Sequence, residues 1–275
     1  MKSIITSRNN SKVKQARALR QRKERQASGL FLVEGIFQVG EAVAAQDASK
    51  IRIEALYYAP DLLKSDFARE LIRQQSSRGI ECYATAADVF QSMAEKDNPQ
   101  GILAVVESPT AHLGELQPET APWVVAVVAP QDPGNVGTIL RSIDSVGASA
   151  LLLLDSSIDP FHPGAVRASM GAIFWYPLIC TTFVEFAQWA AKYDYHVYGT
   201  SAHGRVDYRE VQQYEHPLVL LLGSEREGLT HEQAAVCQEL VRLPMRGRAT
   251  SLNLAVAAGV MLYDIYSKVK LNYPI

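Results

Sequence analysis

Three short polar segments in the second half of this 275-residue chain hold the residue types that could do chemistry. The first places Asn135, Gly137 and Arg141 in the pattern Asn-x-Gly-x-x-x-Arg; the second places Gly223, Glu225 and Gly228 in Gly-x-Glu-x-x-Gly. The third runs from Pro244, Met245 and Gly247 to Ser251, Leu252 and Asn253. Gly137 and Arg141 are four apart, so a helix would set them on one face. A missing side chain there admits a ligand or another chain beside a guanidinium suited to a phosphate or hydroxyl. Gly223 follows four leucines and a valine, and a strand-end glycine commonly allows close approach by a ligand. Glu225 reads either as a solvated loop carboxylate or as a partner for a ligand or for an arginine such as Arg141. In the third segment the plain account is a helix capped by Thr250 or Ser251, with Asn253 in its first turn. The chemical account has Ser251 and Asn253 presenting a hydroxyl and an amide at a positive helix end.

Each segment begins where a short apolar run ends, at residues 124–129, 218–222 and 240–243. Such runs, alternating with helical stretches, read as buried strands of a parallel sheet, whose ligands bind at the strands' carboxyl ends. Three motifs on three strand ends therefore imply one pocket. Asp132 and Pro133 have the form of a helix cap followed by a first-turn proline.

Other chemistries find little support. No Gly-Lys-Ser/Thr follows Gly223, no Gly-x-Gly-x-x-Gly opens a first βαβ unit, and neither Gly-x-Ser-x-Gly nor His-Glu-x-x-His occurs. Ser201 and His203 read as loop residues. Cys82, Cys180 and Cys237 are scattered without a Cys-x-x-Cys pair, which points to a reducing compartment with neither a disulfide framework nor a zinc site. No metal is expected. No apolar stretch is long enough to span a bilayer, so a cytoplasmic protein without a membrane partner is expected.

Charge is uneven along the chain. Residues 1–28 hold nine Lys or Arg against one acid, a net +8, so a chain total of −2 leaves −10 for the rest. A basic arm on an acidic body suggests a polyanionic partner, with Lys12, Lys14, Arg17 and Arg20 on a basic helix expected over 11–25. Alternating strands and helices then form a small α/β unit ending near 107, and a proline-bearing linker covers 108–122. A second α/β unit spans 123–275, with strands at 150–154 and 196–200 besides those above and a terminal helix from about 251 to 268.

Taken in order, the three motifs resemble those of the SpoU/TrmH family of RNA ribose 2′-O-methyltransferases, members of the SPOUT class, over roughly residues 123–266. More loosely, Ile5, Thr6 and Ser7 with Phe31, Leu32, Val33, Glu34 and Gly35 resemble the ribosomal-protein-like substrate-binding domain that precedes this catalytic domain in rRNA-directed members. The resemblance implies an α/β chain with a small N-terminal RNA-binding domain (1–107, basic arm 1–28). A C-terminal domain (123–275) with a mainly parallel sheet and a trefoil knot would follow it. It also implies a homodimer through that domain, and S-adenosylmethionine as methyl donor held by Thr200, Gly223, Leu243, Pro244, Met245 and Leu252. The active site carries over onto Asn135, Arg141, Glu225, Ser251 and Asn253, and Arg167 falls near the RNA.

Two departures concern RNA preference. Arg226 and Glu227 bring charge into the second motif, and a serine common after Asn253 is missing. In the family the first-motif arginine is often assigned as the base. A guanidinium is effectively always protonated in proteins, so Arg141 reads better as a stabiliser of developing alkoxide or a phosphate grip. The expected activity is methyl transfer to structured RNA, foremost 23S rRNA. Alternatives are a tRNA substrate, a non-catalytic RNA-binding or assembly factor on the same fold, and a nucleotide-dependent enzyme on a doubly wound sheet. The basic arm and the missing dinucleotide fingerprint count against the last.

Overall fold

The computed structural model describes residues 4–156 and 158–269; Lys2 of the basic arm and the final residues of the expected second domain lie outside them. The chain forms two compact units, one of 1–109 with 159–175 and one of 110–158 with 176–275.

In the first unit, α1 (Ser11–Ala18) starts from Asn10, whose side chain accepts from the Lys12 amide at 2.9 Å, and it buries Val13 and Ala16. The basic stretch expected as one helix is two, because α2 (Arg22–Ser28) begins anew after a break. Arg25 causes the break. Its Nη1 donates to the carbonyls of Leu19 at 2.7 Å and Arg20 at 2.9 Å, which in a continuous helix would accept from residues 23 and 24. After β1 (Leu30–Glu34) come α3 (Ile36–Asp47) and β2 (Ile53–Tyr58). Next is α4 (Asp66–Ser77), capped by Ser65, whose hydroxyl accepts from the Ala68 amide at 3.3 Å. β3 (Glu81–Ala84), α5 (Ala87–Met93) and β4 (Ile102–Glu107) complete the run. The sheet order is β1-β4-β2-β3, with β4 antiparallel to both neighbours and β3 parallel to β2. Its core joins Val13, Ala16 and Leu19 to Leu32, Tyr57, Phe90, Met93 and Leu103.

The second unit opens with β5 (Trp123–Val128), α6 (Pro133–Val146) and β6 (Ala150–Leu154). Residues 159–175, which carry α7 (Pro163–Ala168), then group with the first unit. The second unit resumes with β7 (Leu178–Thr181), α8 (Phe183–Lys192), β8 (His196–Thr200), β9 (Val206–Asp207), β10 (Leu218–Leu222), α9 (His231–Ala235), β11 (Glu239–Arg242) and α10 (Leu254–Lys268). The sheet is parallel throughout, in the order β7-β6-β5-β10-β8-β11-β9. The edge strands β7 and β9 were not expected from the sequence.

β5, β6 and β10 are buried at every position and built of Ala, Val, Leu and Trp, the composition of strands covered on both faces. Val124, Ala126, Leu152, Leu154, Val219 and Leu221 pack with Phe186 and Trp189 of α8. Each fully buried Leu or Val is worth about 1.5–3 kcal/mol of transfer free energy. α10 packs on α6, and the Ser142 hydroxyl lies 3.9 Å from where a Cβ on Gly259 would stand. Among the described residues no helix is long and apolar enough to cross a membrane, and no cluster of His, Cys, Asp or Glu is arranged to hold a metal ion.

Candidate active site

Strand register brings the three motifs together. Leu222, near the end of β10, pairs with Val127 of β5 on one side and Thr200 of β8 on the other, and Thr200 pairs with Val241 of β11. The four carboxyl ends thus form one row. From β5 the chain goes on to β6 on one side, while β10 and β8 lie on the other. The row therefore spans a point where strand order reverses, the usual ligand position in open α/β sheets.

Local chemistry then aims the side chains. α6 begins at Asp132, whose carboxylate accepts from the Gly134 amide at 2.7 Å, with Pro133 in the first turn as the sequence suggested. This sets Asn135 in the first turn at 8% exposure. The second motif folds into a tight loop in which Ser224 and Gly228 exchange backbone hydrogen bonds of 3.0 Å each way, Gly228 lying at φ +69°. A Cβ on Gly223 would stand 2.5 Å from the Leu229 nitrogen and closer still to the carbonyl carbon of Gly228. Gly223 is therefore required by its own loop.

The third motif differs from the plain account as well. Neither Thr250 nor Ser251 caps α10; Asn253 does, its Oδ1 accepting from the amides of Ala255 at 2.9 Å and Val256 at 3.3 Å. The same side chain reaches the first motif, since Asn253 Nδ2 donates to Asn135 Oδ1 at 3.0 Å. Asn135 Nδ2 in turn donates to Glu225 Oε1 at 2.5 Å. One residue from each motif thus joins a directional chain running from the start of α10 to a solvent-facing carboxylate. Unpaired buried amides are costly, and here the buried Asn135 has both ends satisfied.

The remaining expected residues fall around this chain in different ways. Arg141 is exposed on α6, and its guanidinium makes no hydrogen bond or ion pair with other described residues, whereas Gly137 is buried. Ser251 is exposed on the loop leading to Asn253. Leu243 is half-buried, Pro244 is exposed, and Met245 and Leu252 each keep 38% of their surface open. The Thr200 hydroxyl donates to the Leu221 carbonyl at 3.4 Å, so it is turned into the sheet. Arg167 belongs to the first unit and is paired with Glu95 at 3.0 Å. Lys12, Lys14 and Arg20 are exposed and Arg17 is half-exposed, whereas Arg25 is 4% exposed and turned inward.

Sequence reasoning passed over the group that fixes α10 from behind. Asp264 accepts from the Tyr214 hydroxyl at 2.7 Å and pairs with Lys268 at 2.8 Å, and Lys268 also donates to the Tyr208 carbonyl at 2.8 Å. Burial, reinforced by this bond to Asp264, pushes the Tyr214 hydroxyl far above its ordinary pKa. The (i, i+4) spacing of Asp264 and Lys268 was a readable signal; their partner fifty residues upstream was not.

Comparison with known proteins gives concordant matches. The model of the SpoU rRNA Methylase family matches residues 122–263, and that of the MRM3-like substrate binding domain matches residues 10–104. A 23S rRNA (guanosine(2553)-2′-O)-methyltransferase of Bacillus subtilis (strain 168) is 31% identical over 95% of this chain and 98% of its own length. A 23S rRNA (uridine(2479)-2′-O)-methyltransferase of Streptomyces viridochromogenes is 33% identical over 94% of this chain and 90% of its own. Among solved structures, an AdoMet-bound rRNA methyltransferase from Sinorhizobium meliloti superposes with a TM-score of 0.85 at 34% identity, covering 96% of this chain and 97% of that one. The SpoU methyltransferase AviRb from Streptomyces viridochromogenes, in complex with AdoMet, gives a TM-score of 0.81 at 29% identity over 94% of this chain and 98% of that one.

Proposed function

Since the chain belongs to the SpoU rRNA methylase family, it is an S-adenosylmethionine-dependent RNA ribose 2′-O-methyltransferase, and we propose that its substrate is 23S rRNA. The observation that carries the site assignment is the hydrogen-bonded chain Asn253–Asn135–Glu225, which unites all three motifs at the row of strand ends.

The residues present suit the cofactor. Met245 and Leu252 leave apolar surface open on the loop that follows β11, beside Leu243 and Pro244. Uncovered apolar side chains at strand ends fit a ligand with an apolar ring and chain. With Thr200 and Gly223 from the neighbouring strand ends, these four would hold it, Gly223 by keeping its loop compact. When bound, S-adenosylmethionine supplies an electrophilic methyl group on a sulfonium sulfur.

The chain's own residues supply position and charge. Arg141 carries a permanent positive charge on an exposed helix face, which suits the phosphate flanking the target ribose or the alkoxide developing on its 2′-oxygen. Ser251 and Asn253 orient the ribose at the positive end of α10. Holding hydroxyl and methyl in line supplies much of the acceleration in a displacement of this kind.

RNA would be held on the first unit through Lys12, Lys14, Arg17 and Arg20, of which Lys12, Lys14 and Arg20 are exposed and Arg17 is half-exposed. Arg25 and Arg167, both ion-paired, contribute less to this surface. The second unit acts as a homodimer with a trefoil-knotted path, so that Arg141 of one copy serves the cofactor of its partner. In support, α10 leaves Val256, Tyr263 and Tyr266 between 42% and 55% exposed, an apolar surface that a second copy would cover.

The test is transcript-wide mapping of ribose 2′-O-methylation with and without the protein, followed by Arg141→Ala. Loss of one 23S rRNA ribose methyl without the protein is expected. For Arg141→Ala, methylation should be abolished while cofactor affinity by calorimetry stays within about 2-fold. A variant that keeps most of its rate on the mapped RNA would remove Arg141 from the site.

A further inference from the structure

We propose that Glu225 is the proton acceptor of the reaction, taking the ribose 2′-hydroxyl proton on the carboxylate oxygen that the Asn253–Asn135 chain leaves free. The proposal rests on the methyltransferase reading above and assigns the group that reading leaves open.

The argument starts from hydrogen-bond polarity. Backbone N–H groups only donate, so the amides of Ala255 and Val256 require an oxygen at Asn253 Oδ1. Asn253 must then present its amide nitrogen to Asn135, which accepts through Oδ1 and is left to donate through Nδ2. Each amide orientation follows from the one before, beginning with two donors that cannot be reversed. At the far end Glu225 is required to be an acceptor at Oε1. The ionised carboxylate meets that requirement best, since a charged acceptor strengthens the bond.

The second oxygen is free. Glu225 is solvent-exposed, and Oε2 accepts no hydrogen bond from the described residues. A carboxylate held by one oxygen and open at the other is built to receive a hydrogen bond from a ligand hydroxyl. Glu227 is an equal base but takes no part in the hydrogen-bonded chain, and the remaining groups on the motif segments are poorer bases. Arg141 is a permanent cation, the amides of Asn135 and Asn253 have no basic lone pair at neutral pH, and the Ser251 hydroxyl is a weak base. The Asp132 carboxylate is engaged in capping α6. His203, on the loop after β8, lies outside the hydrogen-bonded chain and is the competitor to exclude.

The step balances. The ribose oxygen forms its bond to the methyl carbon as the carbon–sulfur bond breaks, and that bond's electron pair stays on sulfur. The proton passes from the ribose oxygen to Glu225 Oε2, and water afterwards removes it from the exposed carboxyl. Because the hydroxyl acidifies only as the new bond forms, a carboxylate suffices when transfer is concerted with displacement. General-base catalysis of this type is worth about 10²–10⁴-fold.

Glu225→Gln decides the matter, because the glutamine carbonyl still accepts from Asn135 Nδ2 while the basic oxygen is lost. Full-length protein is assayed in single turnover on the mapped 23S rRNA with saturating S-adenosylmethionine. The expected rate loss is about 100-fold or more, with cofactor affinity by calorimetry and thermal midpoint both unchanged. The wild-type rate should rise with pH to a plateau through a carboxylate ionisation that Glu225→Gln abolishes. His203→Gln should leave rate and profile unchanged. Near-normal turnover by Glu225→Gln overturns the proposal, as does a break that survives in it and vanishes in His203→Gln. A wild-type protein that methylates no rRNA overturns the reading beneath it, a result distinct from either.

Discussion

Two polar links in this molecule span long stretches of sequence and end differently. Arg25 grips Asp159, 134 residues away, through Nε at 2.7 Å and Nη2 at 2.6 Å, and the pair is 4% and 8% exposed. Every member is satisfied: Arg25 also holds the carbonyls of Leu19 and Arg20, and Asp159 Oδ1 accepts from the Phe161 amide at 2.9 Å. The Asn253–Asn135–Glu225 chain spans 118 and 90 residues, but it stops at a carboxylate facing solvent. Both links fix a loop against a distant element. The closed one has no valence left for a ligand and serves the fold; the open one keeps an acceptor in reserve and serves chemistry.

The contrast can be broken most decisively at Arg25. Arg25→Ala strands the buried Asp159 charge and uncaps α1, and should lower stability by about 3–5 kcal/mol in urea unfolding. A loss below about 1 kcal/mol would mean the closed link is ornamental and the comparison wrong. At Asn253 the two roles can be pulled apart. Asn253→Ala removes the cap of α10 and should cost about 0.5–2 kcal/mol. Asn253→Ser restores a cap but has no amide to donate to Asn135. Its stability should return while single-turnover methylation stays depressed. Recovery of both would show that the bond to Asn135 is dispensable.

The smallest effect belongs to a link that spans only two residues. Arg209 holds the buried Asp207 carboxylate with Nε at 2.9 Å and Nη2 at 2.7 Å, and this hydrogen-bonded pairing draws the carboxyl down to about 2. A depressed carboxyl stabilises the folded state above its unfolded value near 4, and the contribution fades as pH falls from there toward 2. Asp207→Asn should therefore flatten the acid limb of a stability–pH curve while leaving its shape between pH 6 and 8 unaltered. A changed neutral limb would show that the short link matters beyond its charge.

Legibility in the sequence follows the range of the interaction that decides each feature. Strands 150–154, 196–200 and 218–222 were read to the residue; in the first and last, continuous burial writes itself into continuous apolar composition. The edge strands β7 and β9 escaped because four and two residues with partial burial leave no such run. The helix break after Ala18 involves neither Gly nor Pro; a side chain six residues on takes the carbonyls the helix needed. Convergence of the three motifs was readable from strand ends. Which residue capped α10 was not, because Ser251 and Asn253 are both good caps and the bond to Asn135 favours the second.

The placement of residues 159–175 has a consequence for how the protein is made. Phe31 of β1 lies against Phe161 at a ring separation of 4.7 Å and Phe174 at 6.3 Å, and Arg25 finds its carboxylate in the same stretch. On the ribosome the first hundred or so residues emerge with an aromatic ring and a cation still lacking their cover. Synthesis at roughly 5–20 residues per second supplies that cover only several seconds later, after β5 and β6 have been built. The N-terminal unit is thus the first to begin translation but is not complete until residue 175 has been made. A gene cut at the proline-bearing linker would encode a fragment that waits indefinitely for residues it no longer has.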